Sequence, residues 1–291
     1  MSDFVLQFLI SGITVGSIYA LVGLGFTIIY NASDVINFAQ GEFVMIGAMS
    51  AVTFYTAGTP LILAIMLAIM MAVVIGFALN QFAIKPAKGA SVVTTIIITI
   101  GASIFLRGAA LLIWGKDFFS LPPFSGEDPI HIGGATILPQ NLWVLGMSVI
   151  LVSAVLWFFK YTLLGKAVLA CSCNRTAAKL VGINVGKMML LSYGISAMLG
   201  ALAGVLIVPI TFTSYDAGVM LGLKGFSAAI LGGIGNPIGA VVGGLLLGIL
   251  ESLGAGFISS GYKDAIAFTI ILLVLFVRPS GLMGKATQER V

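Results

Sequence analysis

LILAIMLAIMMAVVIGFALNQFAI, residues 61–84, decides the fold class. It holds no charged side chain and exceeds the ~20 apolar residues an α-helix needs to cross ~30 Å of hydrocarbon. Long apolar runs recur at 4–30, 92–114, 142–159, 188–209 and 240–257, with a shorter one at 265–277. The 291-residue chain is 59% hydrophobic and only 8% charged, with a mean hydropathy of +1.16. Soluble domains carry about 25% charged residues, so composition argues against a soluble fold. The runs are continuous rather than alternating, which argues against a transmembrane barrel. The predicted class is all-α: a polytopic transmembrane helical bundle forming a single domain over 1–291.

Two further apolar stretches, 44–55 and 220–230, are too short to span alone. Counted as crossings they bring the total to about nine; as re-entrant segments they leave about eight. The start, MSDFVLQFLISG, lacks a basic region, so the first span reads as retained rather than as a cleaved signal. Lys85 and Lys88, the 160–187 segment and the 278–290 tail concentrate the basic residues, which assigns them to the cytoplasm. The 115–140 loop, with Asp117, Glu127, Asp128 and four prolines, then faces outward. The N-terminus is expected outside and the C-terminus inside.

The bulk charge is +4, carried at span ends, which does not suit nucleic-acid binding. Cys171 and Cys173 suit reduced thiols, and His131, the one histidine, lies in another loop, too few ligands for a metal site. There is no GxxxxGK[ST] loop and no Ser/His/Asp arrangement, so the chain has no means to hydrolyse ATP.

Three polar regions stand out. YTLLGKAVLACSCNRTAAKLVGINVGK, 161–187, is basic, and no acid occurs from 130 to 215. Small residues such as Ala167, Ala170, Ala177 and Ala178 suit a short helix docking into a groove, and Gly182 suits its stop. The competing reading is a helix held on anionic lipid. Asn37, Gln40, Gly41 and Glu42 form the second region, with Asp34 just before them; Lys224, Gly232, Gly233 and Asn236 belong to the third. Each adjoins a short apolar segment, and paired broken segments point to a transport pathway; ordinary interfacial packing is the alternative. Glu251 lies within a span with no partner evident in sequence. Arg107 is expected to reach outward along its stem, and Lys263 and Asp264 to form an exposed anchor.

VINFAQGEFVMIGA (35–48), GKAVLACSCNRTAAKLVGIN (165–184), LKGFSAAILGGIGNPIGAVVGG (223–244) and VRPSGLMG (277–284) occur in order, and with them the chain resembles the LivH-type permeases of branched-chain amino acid ABC importers. The resemblance implies a multi-pass protein of the cell inner membrane that binds no cofactor itself. It also implies a homologous LivM-like permease, two cytoplasmic ATP-binding subunits holding ATP-Mg, and a periplasmic solute-binding protein. Its coupling loop maps onto Gly165, Ala170, Asn174, Arg175, Ala178 and Gly182. Relatives often carry an acid mid-loop; here Cys171, Ser172, Cys173 and Asn174 stand instead, leaving helix docking and Arg175 to make the contact. Importers of urea, amides or other amino acids use similar permeases. A stand-alone secondary transporter, with Glu42 and Glu251 as coupling acids, and a membrane scaffold are the competing classes.

Overall fold

The computed structural model describes residues 2–87, 89–132 and 135–284. Lys88 and the tail positions Lys285 and Arg290 of the charge reading lie outside the described residues. Eleven helices are present among the described residues: α1 Ser2–Ser33, α2 Gln40–Thr56, α3 Leu61–Ala78, α4 Val92–Trp114, α5 Pro139–Tyr161, α6 Leu163–Cys173, α7 Arg175–Leu180, α8 Val185–Ile207, α9 Ala217–Gly232, α10 Pro237–Phe257 and α11 Lys263–Val277. A π-helical turn, Leu79–Ile84, continues α3. The strands β1 (Ile130–Ile132) and β2 (Ala135–Ile137) form a small antiparallel hairpin with His131 opposite Thr136, a feature absent from the sequence reading.

Burial does not follow hydropathy. In the 18-residue window of Leu61–Ile84, the most apolar span, only 22% of the residues are buried, against 72% in that of the less apolar Val185–Ile207. Lipid tails are as apolar as leucine, so large apolar side chains gain nothing by leaving them, and the interior selects small residues that let backbones approach. Accordingly Ile62, Phe105, Leu112 and Phe276 point outward from α3, α4 and α11. Inside, a Cβ on Gly12 would lie 2.7 Å from the Ile249 Cα, and one on Gly16 would lie 3.0 Å from the Leu245 Cα. Gly244 meets Ala20, and Gly248 meets Gly16, more closely still. This seam joins α1 to α10 backbone to backbone. A second seam joins α2 to α8, where Gly47 faces Ala201 and Gly204 faces Val44.

Contacts between chain ends define two faces. Gln7 Nε2 donates to the Thr136 carbonyl at 2.9 Å, and the Thr136 amide donates to Gln7 Oε1 at 2.7 Å. The N-terminus therefore shares a face with the 115–138 segment. On the opposite face, Asn31 Nδ2 donates to the Gly235 carbonyl at 3.0 Å, and the Leu282 and Met283 amides donate to the carbonyls of Leu231 and Gly232. The two ends of the described chain thus lie on opposite faces, which requires an odd number of crossings. Seven helical stretches are long enough to span, and α2 and α9 also run between the two faces, since Thr53 meets Trp114 at the end of α4 and Thr213 pairs with Phe119 on the 115–138 side, which makes nine among the described residues.

Both short helices are completed by irregular backbone. Asp34 takes φ 52°, and residues 34–39 then run non-helically into the bundle. The Phe38 amide donates to Thr99 Oγ1 at 3.2 Å. Thr99 is seven residues into α4, so this contact lies roughly 10 Å inside the helix end at 1.5 Å per residue. Irregular backbone at that depth is tolerated where protein covers it.

The α1–α10 seam predicts a contrast. Gly248→Val drives a side chain into the Gly16 backbone and is expected to cost about 3 kcal/mol or more, seen as a lowered melting temperature of the detergent-solubilised protein. Gly101→Ala enters open space on α4 and is expected to be neutral or stabilising by up to about 1 kcal/mol.

Candidate functional site

The 161–187 segment folds as two helices rather than the one expected. Thr162 Oγ1 caps α6 by accepting from the Gly165 amide at 3.0 Å. Gly165 is buried against Phe158 and Phe159, leaving no room for a side chain at the sharp turn from α5. The break falls at Asn174, which adopts φ −161° and caps α7 through Oδ1, accepting from the Ala177 amide at 2.9 Å. Asparagine competes with helical backbone in this way, which is why the helix stops and restarts there. Gly182 at φ 86° ends α7, with the Ile183 amide on the Ala178 carbonyl and the Gly182 amide on that of Lys179. This pairing is the Schellman cap the glycine foretold.

Ala178 is buried and Ala170 half-buried, so the inner side of α6–α7 packs on the bundle. The outer side exposes Leu163, Leu180 and Val181. Arg175 turns inward. Its guanidinium pairs with Asp34 at 3.1 Å and donates to the Ala32 carbonyl at 3.2 Å, so part of its capacity is used within the chain. Between this segment, Asp34 and residues 80–95 lies a cavity of about 1000 Å³, bordered by Lys85, Lys179 and Lys187.

The second region is buried at the start of α2. Asn37 Oδ1 accepts from the Ala39 amide at 3.2 Å. Gln40 is enclosed: Nε2 donates to the Ser196 carbonyl, Ser196 Oγ donates to Oε1, and its amide fills the space Gly25 leaves. Gly41 meets Gly218 and Gly222, so the first turns of α2 and α9 touch. Glu42 Oε1 accepts from Ser103 Oγ at 2.7 Å. Glu42, Ser103 and Arg107 wall one small cavity. Arg107 therefore borders the interior rather than only reaching outward. Ser103 and Arg107 are four residues apart on α4, a one-face spacing readable in sequence, but nothing there indicated that this face meets α2.

The third region is divided. Gly232 packs on Gly239, Gly233 takes φ 104° beside Gly284, and Asn236 Oδ1 caps α10 by accepting from the Ile238 and Gly239 amides. These residues build a tight turn and border neither cavity. Lys224 is buried instead in a charge cluster. Its ammonium lies 2.7 Å from Glu251 Oε1 and 2.6 Å from Asp264 Oδ1, and Tyr19 Oη donates to Glu251 Oε2 at 2.9 Å. Glu251 thus has the partner the sequence reading missed. Asp264 is part of the cluster rather than a free anchor. Each contacting pair is 27 or more positions apart in sequence, with no spacing to betray it.

Breaking a buried pair leaves an uncompensated charge and costs about 3–5 kcal/mol. Lys224→Met is expected to destabilise by that order in thermal unfolding. Lys224→Met with Glu251→Leu is expected to recover a large share, as a double-mutant cycle would measure.

The family model described as "Branched-chain amino acid transport system / permease component" matches residues 8–275. The chain is 34% identical to the high-affinity branched-chain amino acid transport system permease protein LivH of Escherichia coli K12, over 98% of this chain and 97% of that protein. It is also 34% identical to the corresponding permease protein BraD of Pseudomonas aeruginosa, over 98% of each. Among solved structures, PsaBC from Streptococcus pneumoniae in complex with Fab superposes with a TM-score of 0.52 at 15% identity, covering 95% of this chain and 92% of that one, a likeness of fold. The buried glycine seams, the nine crossings and a match running nearly end to end agree: this multi-pass membrane protein belongs to the family of branched-chain amino acid transport system permease components.

Proposed function

We propose that the chain is one of two membrane subunits of an ATP-driven importer of leucine, isoleucine and valine. The observation that carries this reading is the chain-long identity to permeases of that transport. A homologous LivM-like permease completes the pathway, two cytoplasmic ATP-binding subunits dock beneath, and a periplasmic solute-binding protein delivers substrate. The face bearing α6 and α7 lies in the cytoplasm, and the 115–138 segment lies outside the inner membrane.

The geometry suits the role. The α6–α7 pair presents Leu163, Leu180 and Val181 outward while its inner side is anchored by Ala178 and Arg175. A partner that grips the outer side therefore pulls on the end of α1 and on residues 34–39. ATP binding shifts access only insofar as the closed ATPase dimer binds one permease conformation better than the other. ATP-Mg and its hydrolysis belong to the partner subunits.

The complete complex in liposomes is expected to accumulate leucine in an ATP- and binding-protein-dependent manner; uptake driven by an ion gradient without ATP would refute the reading. Leu180→Glu with Val181→Glu is expected to weaken co-purification of the ATPases about tenfold or more. Orientation is read by cysteine labelling. Cys171 is buried, and burial raises its thiol pKa although Arg175 opposes that shift, while Cys173 is exposed. An impermeant maleimide is expected to modify Cys173 in inside-out vesicles, to spare it in intact cells, and to leave Cys171 unmodified in both.

A further inference from the structure

A second cavity lies at the start of α2, lined by no residue of the α6–α7 segment. It holds about 180 Å³ and is walled by Glu42, Ser103 and Arg107 together with Phe26, Phe38 and Phe226. Its rim residues Ile104 and Leu223 are exposed, so it opens on the surface of α4 and α9. Glu42 is 1% exposed. Its Oε1 is satisfied by Ser103, but its Oε2 is buried with no hydrogen-bond partner among the described residues. A buried carboxylate oxygen without a donor is costly, and the group that relieves it best is a cation.

Arg107 is half-buried at the same cavity, one helical turn beyond Ser103. It forms no ion pair with Glu42 among the described residues, where Arg175–Asp34 and the two Lys224 pairs do form. The first turns of α2 and α9 also meet here, at Gly41 and Gly218. Helix N-termini favour negative charge, and such half-buried helix starts receive anionic groups in transporters. One carboxylate oxygen lacking a donor and one guanidinium with no ion-pair partner among the described residues, flanked by three phenylalanines, describe the complement of a zwitterion with an apolar tail.

We propose that this cavity binds the amino acid in transit. Glu42 Oε2 accepts from its α-ammonium, Arg107 holds its α-carboxylate, and the branched side chain lies against Phe26, Phe38 and Phe226. The volume is below the ~300–1,000 Å³ of pockets that enclose a whole drug-sized ligand, which suits a small solute held briefly and open on one side. This rests on the reading that the chain carries amino acids, and it names the place and the groups that read them.

The test uses the complete importer in liposomes, with leucine as the probe. Glu42→Gln and Arg107→Gln each remove one charge-assisted contact and are expected to lower uptake about tenfold or more. Co-purification of the subunits is expected to be retained, which shows that the variants fold and assemble, and Arg107→Lys should recover part of the rate. Should the wild-type complex take up no branched-chain amino acid, the transport reading itself fails. Wild-type uptake with both glutamine variants within about twofold of it overturns the site alone. A second measurement does not depend on those variants assembling. Ile104→Cys, in a background with Cys171→Ser and Cys173→Ser, is labelled with a maleimide. Millimolar leucine is expected to slow the labelling, whereas 3-methylbutylamine and 4-methylpentanoate, each lacking one charge, are not. Equal protection by all three compounds, or by none, overturns the proposal.

Discussion

Helices α1 and α10 touch backbone to backbone through Gly12, Gly16, Gly244 and Gly248, and the remainder of the interior is hung from that seam. In lipid there is no hydrophobic gain in bringing two helices together, so cohesion comes from short-range packing that a single methyl group can abolish. The seam fixes Tyr19 opposite Glu251. Gly225 then seats α9 against Val22 and Gly23 of the same central helix, which carries Lys224 to the far side of Glu251. A buried ammonium and carboxylate are tolerated at that depth because backbone contact has already set their separation, leaving little rearrangement to make the pair.

Two charge sites of similar make-up end in different states. At Lys224 the pairing is closed: Glu251 and Asp264 hold the ammonium, the Tyr19 hydroxyl donates to Glu251, and neither of the two cavities described above is lined by these residues. At Glu42 it is open: one carboxylate oxygen is satisfied, the other is not, and Arg107, which lines the same cavity, forms no ion pair with it among the described residues. Closure marks the first as a structural cluster joining four helices. The open arrangement marks the second as the place where a ligand supplies what the chain withholds. Sequence separates the two acids only by neighbourhood, Glu42 in the polar stretch 34–42 and Glu251 inside an apolar span, and neither neighbourhood reveals which acid is fully paired.

The class of the fold was legible in residues 61–84 and their counterparts, because the length needed to cross hydrocarbon is a local property. The caps were legible too: Gly182 behaved as its type dictates, being the residue that reaches the left-handed conformation without strain. The break at Asn174 was local as well, but a weak preference there competed with helix-forming neighbours. What could not be read were meetings across sequence. Gln40 and Asn37 looked like pathway groups, but Gln40 spends its amide stapling α2 to α1 and α8. Lys224 looked like one too, and it is held by residues 27 and 40 positions later. Polarity at membrane depth announces that a partner exists without saying whether the partner is protein or solute.

The junction between the cytoplasmic-side helices and the interior is built to yield. Arg175 joins α7 to Asp34 and to the Ala32 carbonyl at the end of α1. The pair is partly exposed, with side-chain accessibilities of 35% and 62%, and such pairs contribute about 0–1 kcal/mol. The cation also sits favourably at a helix C-terminus, for a further ~0.3–1 kcal/mol. That sum is far below the 3–5 kcal/mol attached to the buried Lys224 pair. Asp34 is also where the chain leaves helical geometry, at φ 52°, and eight residues later the chain reaches Glu42. A displacement of α7 is therefore passed to the start of α2 through a weak joint and a non-helical segment, while the strong cluster at Lys224 holds α1, α9, α10 and α11 together. The same fold thus contains one part that stays rigid and one that can move, and the unsatisfied carboxylate stands at the end of the part that moves.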